Sequence, residues 1–203
     1  MTNQTKTIVL GTGNAKKGAE VIDLLAPHGW TVQTLADFDT KPDIVEDGDT
    51  FAANAAIKAI KTAQHYNSWA MGEDSGLKVD ALKGEPGIYS ARYSGPNATD
   101  ESNNAKLLAE LAEVALKKRG AGYVCSVAIA NPTGQVVLAV EGTCRGRIAF
   151  EPAGSNGFGY DPYFELLEYH KTFGQMPSVV KRRISHRARA FAKLIPLLSQ
   201  LEL

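Results

Sequence analysis

Cysteine is scarce in this chain: Cys125 and Cys144 are the only two among 203 residues. Two thiols without paired Cys/His spacing make no disulfide scaffold and no zinc site. Both stand in strand-like runs and read as buried free thiols. Long apolar runs are missing too. No stretch approaches the roughly 18 residues of a membrane span. The segment MTNQTKTIVLGTGN holds only the short apolar run TIVL, so no secretory leader is expected. A cytoplasmic protein without membrane contact is the expectation. Net charge is absent as well, since 22 Lys and Arg balance 22 Asp and Glu. That argues against a long basic footprint, and hence against a nucleic-acid partner. It leaves room for a local basic pocket around one small polyanion.

What is present is an ordinary globular composition, 44% hydrophobic and 22% charged. The length suits one large domain or two small lobes, and residues 1–203 are expected to form a single domain. TIVL (residues 7–10) reads as a buried strand ending in a turn, followed by a helix from about Lys16. TVQTL (31–35) is a second strand. DTFAANAAIKAIKTAQHY is the strongest helix, capped by Asp49 or Thr50. SWAMGED is expected as a strand that ends at Glu73 and Asp74, with a tight turn after them and LKVDAL as a separate short strand. ESNNAKLLAELAEVALKK is an amphipathic helix, with Leu107, Leu108, Leu111 and Leu116 as core candidates. YVCSVAIA and QVVLAVEGT should form an antiparallel hairpin through NPTG, a type I turn. A last helix should begin near Ser185 and end or kink at Pro196. Helices alternate with strands first and a hairpin follows, which predicts an α/β fold with a mixed sheet.

Several stretches hold residues suited to chemistry. TGNAKK (12–17) lies between a strand and a helix, where backbone N–H groups and two lysines could cradle phosphate. It also fits a capped helix with solvated lysines, and it is not a Walker A loop, because the GxxxxGK[ST] spacing is absent. Glu46, Asp47 and Asp49 form an acidic loop with Lys58 behind it. Glu73 and Asp74 add two more carboxylates, and together these could surround a hard cation such as magnesium. GEPGIYSARYSG (84–95) fits a ligand wall or a packed loop. GSNGFGYDPYF (154–164) sets Phe158 between glycines, either as a nucleobase platform or as a loop anchor. KRRISHR (181–187) gathers cations at or before a helix start, where the dipole disfavours them unless an acceptor-rich ligand is bound.

In order and spacing, TGNAKK, TFAANAAIKA, EDSGL, GEPGIYSARYSG, GFGYDP and ISHRARA resemble the inosine triphosphate pyrophosphatases. These enzymes, also known as dITP/XTP pyrophosphatases, hydrolyse noncanonical purine nucleoside triphosphates (ITP, dITP, XTP) to the monophosphate and pyrophosphate. The matching stretches span residues 12 to 190. The resemblance implies a mixed, elongated central sheet flanked by helices, with two lobes around a cleft. It implies a homodimer and a magnesium (Mg2+) requirement. Thr12, Gly13, Asn14, Ala15, Lys16 and Lys17 would bind the triphosphate, with Lys17 the main cation. Asp74 would accept the proton, Glu46 and Asp74 would hold the metal with Glu73 beside them, and Ser75 and Lys58 would face the phosphates. Phe158, Gly159, Tyr160, Asp161, Lys181, His186 and Arg187 would hold base and sugar.

Two departures accompany the likeness. Many members are acidic at one or both positions of Ala52 and Ala53. The commoner pattern also has acidic residues directly before the lysine matching Lys181. A Maf-like pyrophosphatase acting on pyrimidine or modified nucleotides is the nearest alternative, and GFGYDP with SHR argues against it. A non-catalytic nucleotide-binding module is another, against which Glu46, Glu73 and Asp74 count.

Overall fold

A computed structural model of the chain describes residues 6–201. Their seven-stranded sheet has the order β2-β1-β3-β4-β5-β6-β7. The strands are β1 (Lys6–Leu10), β2 (Trp30–Thr34), β3 (Ala70–Val79), β4 (Gly120–Ala130), β5 (Val136–Ile148), β6 (Phe164–Leu166) and β7 (Lys171–Thr172). β1 pairs in parallel with β2 and β3, whereas β6 pairs antiparallel with β5 and β7. The mixed α/β architecture expected from the alternation is present. β4 and β5 are neighbours joined by a turn in which Gly134 N–H donates to Asn131 C=O, with Gly134 at φ +86°.

The chain divides into two compact units. Of the described residues, the first takes in 6–74, Cys125–Gly142 and 188–201. Its helices are α1 (Ala15–Leu25), α2 (Phe51–Tyr66) and α5 (His186–Leu198), the last entering it at Ala188. One apolar cluster joins Ile8, Leu10, Met71, Cys125, Val127 and Ile129 of the strands to Val21 and Leu25 of α1 and Phe191 and Leu194 of α5. A second joins Ala70, Ala128 and Ala130 to Ala55, Ala59 and Ala63 of α2. Alternate residues of β3 and β4 thus serve opposite faces, so β4 reads as an unbroken apolar run rather than a half-polar one. Alanines four apart give α2 a flat face, and Thr50, not Asp49, caps it by accepting from Ala53 N–H.

The second unit comprises Ser75–Val124 and Thr143–Arg187. Leu77, Val79, Tyr123, Ile148, Phe164 and Phe173 pack there against Leu107 and Leu111 from α3 (Asp100–Glu110) and the turn after it. Leu108 is partly buried against that core. The helix is shorter than its sequence pattern predicts. Arg119, 2% exposed, donates to Leu111 C=O and Val114 C=O and so satisfies carbonyls left over at the helix end.

Three expectations need correction. β3 does not stop at Asp74; it runs on to Val79, so LKV belongs to it and GEDSGL contains no turn. Pro196 lies inside α5 instead of ending it. A short helix, α4 (Ser178–Ile184), precedes α5, so Lys181, Arg182 and Arg183 sit in a last helical turn. There the helix dipole favours them, which reverses the reasoning made for a helix start. Ser185 is extended, the C-cap of α4, and separates the two helices.

Candidate active site

The first unit gathers one set of the predicted residues. α1 begins after Asn14, whose Oδ1 accepts from Lys17 N–H at 3.1 Å, while Thr12 Oγ1 accepts from Asn14 N–H at 3.2 Å. Gly13, Asn14, Ala15 and Lys16 are exposed. The helix start is therefore closed by its own side chain and open to solvent, with Lys16 and Lys17 in its first turn and no acidic residue there. That is a site suited to an anion.

Glu73 and Asp74 are 1% and 6% exposed. Two adjacent buried carboxylates would be untenable on one face. The strand resolves this by alternation. Glu73 Oε2 meets Lys17 Nζ of α1 at 3.3 Å, and its Oε1 accepts from the Cys125 thiol at 3.2 Å. Asp74 takes the other face, where its Oδ1 meets Lys58 Nζ of α2 at 2.9 Å and its Oδ2 accepts from Asn54 Nδ2 at 3.4 Å. Each carboxylate has a lysine from a different helix. Glu46 reaches the same ammonium, Oε2 to Nζ at 2.7 Å, and Glu73 C=O accepts from it at 3.1 Å. Lys58 therefore spends its three N–H donors on Glu46, Asp74 and the β3 backbone. Asp47 and Asp49 are exposed.

Burial lifts the Asp74 carboxyl above the ordinary carboxylate range, against the lowering pull of Lys58 and Lys17. For Lys58, burial acts downward, but the charges of Asp74 and Glu46 and its hydrogen bonds outweigh it, and its pKa rises. Glu46 and Asp74 thus converge on one cation, and Glu73 is not brought to them. Among the described residues no group of three or more His, Cys, Asp or Glu side chains could hold a metal ion. The two converging carboxylates still suit magnesium, which takes hard oxygen donors and binds through one or two carboxylates with phosphates and waters completing its shell.

Asn54 escaped the sequence reading. It is 1% exposed and accepts from Gly48 N–H at 2.9 Å, which ties the acidic loop to α2. Its signal was a polar residue four before Lys58 on the apolar stripe of α2.

The second unit gathers the other set. Asp161, 2% exposed, accepts from Lys181 Nζ at 2.6 Å and from Phe158 N–H at 2.9 Å through the same oxygen, Oδ2. The Lys181 ammonium stands 4.7 Å from the centre of the Phe158 ring. Gly157 has φ +80°, and a Cβ there would stand 2.0 Å from Asp161 Oδ2, so only glycine lets the loop close over that carboxylate. The Tyr160 hydroxyl donates to Ser90 C=O at 2.8 Å. His186 stacks on Tyr123, ring centres 4.6 Å apart and 12° from parallel. Arg187, 1% exposed, donates from Nη2 to Ser75 Oγ at 3.1 Å. Ser75 is thus a partner of Arg187. The GEPGIYSARYSG stretch is a packed loop: Ser90 Oγ accepts from Leu77 N–H at 2.9 Å, and Arg92 lies over the exposed Tyr89 ring at 5.3 Å.

The chain as a whole is similar to known proteins. The sequence pattern of the Ham1 family matches residues 8–197. A dITP/XTP pyrophosphatase from Rhodopirellula baltica is 51% identical over 98% of this chain and 96% of its own. A solved Ham1 protein from Coxiella burnetii superposes with a TM-score of 0.87 at 37% identity, covering 97% of this chain and 100% of that one. The Staphylococcus aureus Ham1 protein gives 0.84 at 37% identity, over 96% and 98%. A family pattern across nearly the whole chain and folds this alike leave one assignment: the chain belongs to the Ham1 family.

Proposed function

We propose that this chain is a hydrolase that converts noncanonical purine nucleoside triphosphates, those of inosine, deoxyinosine and xanthosine, to the monophosphate and pyrophosphate. The observation that carries this is Asp74: a buried carboxylate with a raised pKa, held by Lys58 and Asn54, beside a helix start suited to polyphosphate. The relative from Rhodopirellula baltica bears the name of that activity.

Asp74 takes a proton from water as its oxygen bonds to the α-phosphorus. The α–β bridging P–O bond breaks, and its electron pair leaves with pyrophosphate. Lys58 fixes Asp74 while this happens, and the α1 start with Lys16 and Lys17 stabilises the leaving polyanion. Magnesium, when held by Glu46 and Asp74, would supply charge neutralisation for the phosphate oxygens. Phe158 gives the base a ring face. Lys181, His186 and Arg187 supply donors for the oxygen at purine position 6. Adenine carries an amino donor there and would leave a buried donor unpaired, which rejects it strongly. A homodimer working in the cytoplasm completes the proposal.

The test is pyrophosphate release from inosine, deoxyinosine, xanthosine, adenosine, guanosine and thymidine triphosphates, with magnesium and with a chelator. The first three should exceed adenosine triphosphate in kcat/KM by roughly 10² or more, and the chelator should abolish release. Equal rates on adenosine triphosphate would defeat the specificity, and undiminished release in chelator would defeat the metal requirement.

A further inference from the structure

The loop that carries Phe158 is gripped at one residue by a helix distant in sequence. Gly159 N–H donates to Asp100 Oδ2 at 2.9 Å, and Gly159 C=O accepts from Asn104 Nδ2, also at 2.9 Å. Asp100 and Asn104 are one turn apart on α3, so one offers an acceptor and the other a donor from the same face. Asn104 is 8% exposed, and its amide also donates to Asp100 C=O at 2.8 Å, which fixes its orientation. Gly159 sits at φ +62°, a left-handed conformation. Holding both its amide and its carbonyl fixes the peptide planes on either side, those shared with Phe158 and Tyr160.

Thr99 caps α3, accepting from Ser102 N–H at 3.1 Å, while Ser102 Oγ accepts from Thr99 N–H at 2.9 Å. The capping box is closed without Asp100. The Asp100 carboxylate reaches the loop at Gly159.

We propose that Asp100 and Asn104 are positioning residues for base recognition, a two-point clamp on Gly159 that sets the Phe158 ring against the Lys181 ammonium. They touch no reacting atom. Their role rests on the functional reading above, because it assigns the base to this loop. The clamp should therefore act on discrimination and KM and not on the chemical step.

Asp100 is exposed, so Asp100→Ala folds. Asp100→Asn keeps a side-chain oxygen to accept from Gly159. Asn104→Asp has the shape of asparagine but turns a carboxylate onto two carbonyl oxygens. Two readouts are compared across wild type and these variants. Amide hydrogen exchange over residues 156–161 needs no nucleotide. Losing the clamp should speed exchange at Gly159 by about tenfold or more in Asp100→Ala and Asn104→Asp. Asp100→Asn should stay near wild type. Steady-state kinetics should show the inosine-over-adenosine kcat/KM ratio falling by about tenfold through KM, with kcat within about twofold, in the same two variants. Asp100→Asn should restore the ratio. Unchanged exchange and unchanged ratio in Asp100→Ala would overturn the clamp. So would equal damage from Asp100→Asn, because the carboxylate's charge and not its acceptor would then be at work. A wild-type protein inert toward inosine triphosphate would refute the functional reading, while the exchange comparison still decides whether the clamp exists.

Discussion

Asp74→Asn is expected to lower turnover of inosine triphosphate by roughly 10²–10⁴, the range for loss of a general base. The amide keeps the shape of the carboxylate and one oxygen facing Lys58, so the fold is retained. What it loses is the basic oxygen pair. The wild-type carboxyl is raised by burial, against Lys58 and Lys17, and the reactive form is the deprotonated one. The sign follows: kcat/KM should fall as pH drops, with its acid limb above the ordinary aspartate range. The variant should show no such limb. Turnover and pH profile measured on both proteins check this, and near-normal turnover in the variant removes Asp74 from the role.

The second large effect is structural. Gly72 lies in mid-strand, where a Cβ would stand 1.9 Å from Ala55 O, 2.5 Å from Ala59 N and 2.9 Å from Lys58 Cβ. Two of these neighbours are helix backbone, so no side-chain rotation can relieve the contact. Overpacking costs about 1–3 kcal/mol where side chains can adjust, and here the cost should reach at least the upper end. Gly72→Ala should lower Tm by about 6–12 °C, since each kcal/mol is worth about 2–4 °C at this size. Activity should fall with it, because α2 carries both Asn54 and Lys58. A thermal melt near the wild-type Tm would show that α2 can retreat freely from β3.

Gly72 also shows how tertiary packing overrides local composition. GEDSGL has the composition of a turn, and a tight turn after Asp74 was the expectation. The glycine serves the close approach of a helix instead, a need set by α2 from another part of the chain. With the strand running on, period-two alternation becomes visible and parts Glu73 from Asp74. The residues proposed for phosphate and base recognition stand in short stretches that a sequence shows directly: Thr12 to Lys17, Phe158 to Asp161, Lys181 to Arg187. Helix α4 was not legible, because it is one short element whose cations suggested a helix start. Partners far apart in sequence were hidden for the same reason. Asp100 and Gly159, or Tyr123 and His186, meet only once the second unit has folded, and nothing local announces them.

The most direct measurement is hydrolysis of inosine triphosphate in heavy-oxygen water, with both products weighed by mass spectrometry. Attack on the α-phosphorus by a water that Asp74 deprotonates predicts one labelled oxygen on inosine monophosphate and unlabelled pyrophosphate. Label on pyrophosphate, or orthophosphate released from the γ position, would contradict it.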